Sequence, residues 1–474
     1  MESAPADSTL SRRSLLRGAA GGAALIASAG LPAWARPIAR AAGVRRPDSL
    51  PFPHLPAGHP SMPQIEHIVV LIMENHSFDN LLGLVPYQVP GRVTVDGLTR
   101  VKGKFKNVNP DSTGLKVFAE HAVSPCQLDG HPGQDWNASH ISYDNGRNDG
   151  FVKASGDIAM RFWDQSDIPF TYSLAQHFPI GERYFCSTLC QTYPNRRFFF
   201  AGTASGTIAT DATTFTTPAA NGTIFDRLDA HKIDYAIYYQ NLPSWAIIPN
   251  ILAHPGRAAR QRHFSTFAHD AAAGKLPKFT FIDPQYDTTS EENPQDIQVG
   301  EEFIANVVHT LTRAPTWKST ALFITYDEHG GYYDHVPPPR AIKPDSIAPM
   351  LAAGDLPGAY DRYGFRVPLI VVSPWAKPSY VSRVVQDHTS LDAFIERKWN
   401  LPAMTFRDAN AQPMTDYFDF SKAAFAKPPA LAAAPSLGPG LVKCHAAGLN
   451  PPLPGPAHPS LTPIQRQLAR AARL

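Results

Sequence analysis

The chain is poor in several things that would have decided its class at once. It has four cysteines, Cys126, Cys186, Cys190 and Cys444, in 474 residues. That is too few for a disulfide framework, and their spacing is not that of a zinc site. Cys186 and Cys190 are close enough to pair in an exported protein, but small buried apolar residues are the preferred reading. There is no excess of either charge: the formal net charge is +2 and charged residues are 18% of the chain. Nucleic acid is therefore not an expected partner, and there is no acidic tail. Beyond the N-terminal region no run approaches the ~20 apolar residues a membrane span requires, so no transmembrane segment is expected in the mature chain. No internal repeat is visible. Proline is abundant, at 46 residues, yet 43% of the chain is hydrophobic. That combination implies long irregular loops around a sizeable core rather than disorder.

Ser11-Arg12-Arg13-Ser14-Leu15-Leu16, an Ala/Gly-rich apolar run from Gly18 to Leu31, and Ala33-Trp34-Ala35 follow one another. They have the order of a basic region, an apolar region and a small-residue cleavage site. The paired arginines resemble a twin-arginine signal, so the expected partner is that export machinery and the expected location is periplasmic, secreted or cell-envelope associated. The domain reading is a signal at 1–35, a Pro-rich linker or arm at 36–62, a catalytic domain at 63–417 and an Ala/Pro-rich tail at 418–474.

Within the catalytic region, short apolar runs alternate with helix-like segments. Ile68-Val69-Val70-Leu71-Ile72-Met73 reads as a buried strand that stops at Glu74-Asn75. A second run, Thr320 to Tyr326, stops at Asp327-Glu328. Strands are also expected at Asp234 to Tyr239, Phe279 to Ile282 (ending at Asp283-Pro284) and Val367 to Val372. Helices are expected at Phe78 to Leu82, Tyr172 to His177, Asn221 to Ala230, Gly300 to Arg313 and Asp387 to Trp399. Val85 to Lys116 alternates turns with short β-like pieces such as Arg92 to Val95, and Cys126 to Val152 reads as a long loop. Phe198-Phe199-Phe200 reads as a core strand or helix. The alternation argues for an α/β fold, a mostly parallel central sheet with helices on both faces.

Two buried strands that each end in oxygen ligands suggest one hard-metal site. Glu74, Asn75, Asp327 and Glu328 are the candidate ligands, and Thr192 or a nearby serine is a candidate nucleophile, inert until a metal or base activates it. His76, His131, His140, His329, His335 and His388 are candidates for proton transfer.

Four separated blocks then carry a family resemblance: Glu74-Asn75-x-Ser77-Phe78-Asp79; Thr192-x-Pro194-Asn195-Arg196; Asp327-Glu328-x-Gly330-Gly331-x-x-Asp334-His335-Val336-Pro337; and Asp387-His388-Thr389-Ser390. Together, from about Ile65 to Leu401, they resemble the bacterial and plant phosphatidylcholine-type phospholipase C family. That family includes certain bacterial acid phosphatases and has an alkaline-phosphatase-like fold. The resemblance implies that Glu74, Asn75, Asp327 and Glu328 hold a divalent metal (calcium, magnesium, manganese or zinc) and that Thr192 is the nucleophile. His140 resembles a phosphate-contacting histidine, with His131 its rival. His335 and His388 are implied in catalysis, and Asn195 and Arg196 in substrate binding. The chain departs from the pattern at Asn293, where the family often has a histidine. The implied activity is that of an exported phospholipase C working through a phosphothreonyl intermediate on a phospholipid or other phosphate ester. The alternative is an acid phosphatase with the same site.

Overall fold

The computed structural model describes residues 43–127 and 130–435. The export segment, Cys444 and the end of the tail lie outside the described residues. The strands that build the centre are β1 (His67–Met73), β2 (Ile180–Gly181), β3 (Tyr235–Tyr239), β4 (Gln261–His263), β5 (Phe279–Ile282), β6 (Thr320–Tyr326), β7 (Leu369–Val372) and β8 (Val381–Ser382). The helices that matter for the site are α1 (Phe78–Leu82), α2 (Trp136–Tyr143), α3 (Thr192–Ala201), α4 (Ile224–Ala230), α5 (Ile297–Arg313) and α6 (His388–Trp399).

The strands form one eight-stranded sheet in the order β4-β3-β5-β1-β6-β7-β2-β8. Every pairing is parallel except β6 with β7 and β7 with β2. All of β6 is buried, as is β1 from Ile68 onward. Successive side chains of a strand point to opposite faces, so both faces of the sheet are covered. Val70 is in register with Phe281 and Phe323, which puts the three on one face. There Phe281 packs on Phe199 and Phe200 of α3, and Phe323 on Phe394 of α6. Phe225 of α4 covers Tyr235 and Phe279 on that same face. Tyr238 points the other way and meets Phe267; Phe264 stacks on Phe267 and reaches Phe303 of α5. Helices thus lie on both faces, and the doubly covered sheet explains why the central strands read as unbroken apolar runs.

Two local expectations need correcting, and two that were left open are decided. Arg92 to Val95 is a turn, not a strand: Arg92 is buried and its guanidinium donates to the carbonyls of Tyr380 and Phe178, which breaks any alternation. The loop from Cys126 to Val152 contains α2, whose first turn is capped by Asp135 accepting from the Ala138 amide at 2.8 Å. The Phe198 to Phe200 block is helical. Cys186 and Cys190 are both free and buried, their thiols turned to different carbonyls, those of Thr188 and Ile208. Cys126, by contrast, is disulfide-bonded.

Residues 43–62 lie along the C-terminal end of α6. The Ser61 amide donates to the Lys398 carbonyl at 2.7 Å, and Asn400 Nδ2 donates to the carbonyls of Phe52, Leu55 and Pro56. Packing also runs past residue 417, since Phe418 and Phe425 are buried. Among the described residues no helix is long and apolar enough to cross a membrane.

Candidate active site

β1 and β6 are neighbours, parallel, and in register through Met73 and Tyr326. Glu74 and Asp327 therefore leave the sheet side by side at its carboxyl edge, where open α/β sheets hold ligands. β5 flanks β1 on the other side, with Ile282 level with Leu71, and delivers Asp283 to the same edge. Asn75 has φ 68°, in the left-handed region that asparagine tolerates better than most residues. The turn after β6 closes onto it so tightly that a Cβ at Gly330 would sit 1.9 Å from the Asn75 carbonyl oxygen. That contact is the physical reason for a glycine two residues after Glu328.

The acids share one dense set of bonds. Asp327 Oδ1 accepts from the amides of Asn75 (3.3 Å) and Glu328 (2.8 Å). Glu328 Oε2 accepts from the Gly330 amide at 2.7 Å. α3 begins at the same place: Thr192 is its first residue, and the Thr192 hydroxyl donates to Asn75 Oδ1 at 3.5 Å. A helix N-terminus pointed at a site favours anions there. One turn further along α3, Arg196 reaches three carboxylates: Nε to Asp327 Oδ2 at 2.9 Å, Nη1 to Asp283 Oδ1 at 3.2 Å and Nη2 to Glu74 Oε1 at 3.5 Å. Arg196 therefore faces the acids. Asn195 does not: its Nδ2 donates to the Cys190 carbonyl at 2.7 Å and its Oδ1 accepts from the Thr188 amide at 3.0 Å. Asn195 thus ties down the turn that presents Thr192.

Burial raises the carboxyl pKa of Glu74 well above the ordinary range, opposed by the charge of Arg196 and reinforced by Asp327. Burial, then the charge of Asp327, does the same to Glu328. Asp327 is raised by burial against the pull of Arg196. Arg196 is pushed up in spite of its own burial, by Tyr286, Asp327, Glu74 and Asp283. Three buried carboxylates thus share one guanidinium, the fourth, Glu328, lies 3.0 Å from His329 Nδ1, and Glu328 Oε1 is buried with no hydrogen-bond partner. Uncompensated buried anions are costly, so a cation fits here, and an all-oxygen donor set suits a hard divalent ion. The carboxylates of Glu74, Asp327 and Glu328 are not drawn together on their own. Among the described residues, the groups of three whose ligand atoms lie within 4.8 Å of one another are Asp79–Asp334–His335 and His121–Asp164–Asp167.

The histidines divide by their partners. His388 is buried, with Nε2 2.7 Å from the Asp327 carbonyl and Nδ1 2.9 Å from the Tyr184 hydroxyl. Burial lowers its pKa to about 4, so the neutral ring donates from Nε2 and accepts at Nδ1. It braces the backbone that carries Asp327. His335 lies in a neighbouring network, 2.6 Å from Asp79 Oδ2 and 3.0 Å from Asp96 Oδ1. His140 Nδ1 donates to the Trp136 carbonyl at 2.7 Å within α2, and the ring lines a cavity of about 490 Å³ with Leu189, Leu356 and Arg362. His131 Nε2 lies 2.9 Å from Glu292 Oε1, and Glu292 is a charge felt by Glu74, Asp327 and Glu328. His76 is held by Asn80 and the Glu291 carbonyl and fills the core. Asp283 and Glu292 are members of the site that reading the sequence passed over. Asp283 had the same signal as the others, an acid at the end of an apolar strand; Glu292 had none.

A parallel sheet whose central strands end in buried acids, beside a hydroxyl at a helix N-terminus, has the equipment of a phosphoric-ester hydrolase, and the chain is one. It belongs to the Phosphoesterase family, which matches residues 65–402. Non-specific phospholipase C6 of Arabidopsis thaliana is 32% identical over 74% of this chain and 72% of that protein. Non-specific phospholipase C1 of the same plant is 29% identical over 78% and 74%. The non-hemolytic phospholipase C of Pseudomonas aeruginosa is 27% identical over 90% and 69%. Among solved structures, a protein in the alkaline phosphatase superfamily from Vibrio parahaemolyticus aligns over 75% of this chain and 71% of that one, with a TM-score of 0.36 and 8% identity.

Proposed function

We propose that this protein is an exported, metal-dependent phospholipase C that cleaves phosphatidylcholine-type lipids into diacylglycerol and a phosphorylated headgroup. One observation carries the reading: the Thr192 hydroxyl stands at the N-terminus of α3, bonded to Asn75 Oδ1 in the turn that follows Glu74, and that turn is tied through the Asn75 amide to Asp327. Glu74, Asn75, Asp327 and Glu328 are the residues that would hold a divalent cation, which would supply positive charge to the phosphoryl oxygens and make the hydroxyl more acidic. Thr192 Oγ1 gives its proton to water and attacks phosphorus, the bond to the diacylglycerol oxygen breaks as that oxygen takes a proton, and a phosphothreonyl intermediate forms. The α3 N-terminus offsets the phosphoryl charge, while the Arg196 guanidinium offsets that of Glu74, Asp283 and Asp327. Water then attacks the phosphothreonine and frees the headgroup phosphate ester, restoring Thr192. His131 suits the proton donor to the leaving oxygen better than His140. Burial works against a charged His131, but its bond to Glu292 raises its pKa overall, whereas burial lowers that of His140.

The test is purified protein with phosphatidylcholine and, separately, p-nitrophenyl phosphate, with and without chelator. Diacylglycerol release that stops with chelator is expected. Turnover of the monoester alone would replace this reading by that of a phosphomonoesterase. Export by the twin-arginine route is proposed from Arg12-Arg13 and the segment after them. Replacing both arginines by lysine should leave the protein in the cytoplasm; unchanged export would reject that route.

A further inference from the structure

Two short hairpins stand between the short helix Val85–Gln88 and α2, and their outward side breaks the usual pattern of polar exposure. The first pairs Arg100–Val101 with Lys104–Phe105, closed by Lys102 and Gly103, both at positive φ, as a tight two-residue turn demands. The second pairs Val108–Pro110 with Lys116–Phe118. Its tip is fixed by Asp111 Oδ1, which accepts from the amides of Thr113 and Leu115 at 2.8 Å each. The two share a base at the buried Asn107. Its Oδ1 accepts from the Thr99 amide and its carbonyl from the Ala119 amide. Phe105 and Val117 pack inward on the core, Phe105 edge-on to Phe162 at 4.9 Å.

Strand alternation then sends Lys104, Lys116, Val101 and Phe118 outward. Val101 is 46%, Leu115 67% and Phe118 51% exposed. Between Arg100 and Phe118 the chain carries five cations (Arg100, Lys102, Lys104, Lys106, Lys116) and one acid, Asp111, against +2 for all 474 residues. None of these cations forms an ion pair among the described residues. A surface that mixes exposed aliphatic and aromatic side chains with lysines outside any ion pair is the composition that binds the interface of an anionic bilayer. A polyanion such as RNA would account for the lysines but not for Leu115 and Phe118.

We propose that the outward side of these two hairpins docks the enzyme on a phospholipid bilayer containing anionic headgroups, with Val101, Leu115 and Phe118 entering the interface and the lysines meeting the headgroups. The choice of a lipid occupant rests on the phospholipase reading above.

The experiment floats the full-length protein with vesicles of phosphatidylcholine, alone or mixed with phosphatidylglycerol. Two double variants are compared with it: Lys102→Glu with Lys104→Glu, and Leu115→Ser with Phe118→Ser. Each protein is also assayed on vesicle lipid and on water-soluble p-nitrophenyl phosphocholine. The wild type should float with the mixed vesicles, and each variant's bound fraction and vesicle hydrolysis should fall about tenfold or more. Turnover of the soluble diester should stay at the wild-type level, which also reports that the variants fold. Variants that float like the wild type, a wild type that never floats, or a wild type that retains RNA but no vesicles would each overturn the proposal. If the wild type floats and the variants do not, while neither vesicle lipid nor soluble diester is cleaved, docking stands and the phospholipase reading falls.

Discussion

Two clusters of buried charge sit side by side at the carboxyl edge of the sheet, built from adjoining residues of the same sequence blocks. In one, Glu74, Asp283 and Asp327 share Arg196, and Glu328 has beside it only the His329 ring, 3.0 Å away and held neutral by burial. In the other, Asp79, Asp334 and Asp96 meet Arg366, His335 and Arg183. Arg366 donates from Nε to Asp334 Oδ1 at 2.9 Å, from Nη2 to Asp79 Oδ1 at 3.1 Å and from Nη1 to the carbonyls of Asp96 and Glu182. Asp79 Oδ2 also accepts from the His335 amide at 2.8 Å, and Asp334 Oδ2 from the Asp79 amide at 3.2 Å. The second cluster is balanced and saturated, while the first keeps an excess of negative charge and a bare Glu328 oxygen. The same residue types therefore do two jobs. Saturated pairing fixes the turn after β6 to α1, and incomplete pairing leaves the negative charge that the cation proposed above would offset.

That contrast can be broken from either side. The largest effect is expected from Thr192→Ala, which should lower turnover about a thousandfold or more while metal content, read by atomic emission, stays near wild type. Arg366→Met should act on the other cluster. It removes the guanidinium that Asp79 and Asp334 share, leaving Asp79 to His335 and Asp334 to backbone amides, and should cost about 3–5 kcal/mol in urea unfolding, with metal per folded molecule unchanged. Loss of metal without loss of stability would show that the two clusters had been told apart wrongly.

The pH response should also separate them. Burial alone would lower the pKa of His335, but the charge of Asp79 and its bond push it up to about 9 from an ordinary 6.5. A group raised on folding stabilises fully below its unfolded value. That contribution, on the order of 3 kcal/mol at most, should disappear as pH climbs from 6.5 through 9, and His335→Gln should flatten this limb of the stability curve. Asp79, held below its usual range against the pull of burial by His335 and Arg366, gives the opposite limb, lost as pH falls through its folded pKa.

The smallest effect has the opposite sign. In chelator, Glu328→Gln should be more stable than wild type by about 1 kcal/mol, because it removes one of the excess buried charges; thermal unfolding with and without metal measures it. A destabilised variant in chelator would mean that Glu328 is already compensated without a cation.

Much of this was legible because strand ends announce themselves. Unbroken apolar runs that stop at Glu74, Asp327 and Asp283 needed only the rule that parallel strands are buried on both faces. Thr192 and Arg196 were legible only through their motif block; the helix starting at Thr192 that puts both at one site is seen only in the structure. The histidines were not legible in this way. His388 and His335 occupy equivalent places in motif blocks, yet one braces a carbonyl as a neutral ring and the other lies between two carboxylates. That difference is set by Tyr184, Asp79 and Asp96, residues distant in sequence. Asn195 likewise carries a motif position but directs its amide to its own turn. Arg92 to Val95 alternates like a strand, and only the carbonyls waiting for Arg92 inside the protein turn it into something else.

The Gly330 contact has one more implication, for the order of assembly. The turns that carry Asn75 and Glu328 are interlocked backbone to backbone, although 252 residues separate Asn75 from Asp327. Neither half can take its final form before β1 and β6 lie together, and such a distant pairing closes late in folding. A cation that needs both halves can then bind tightly only to the finished protein, so it pulls the folding equilibrium forward by mass action. Metal retained after gel filtration would in that case count folded molecules as directly as turnover does.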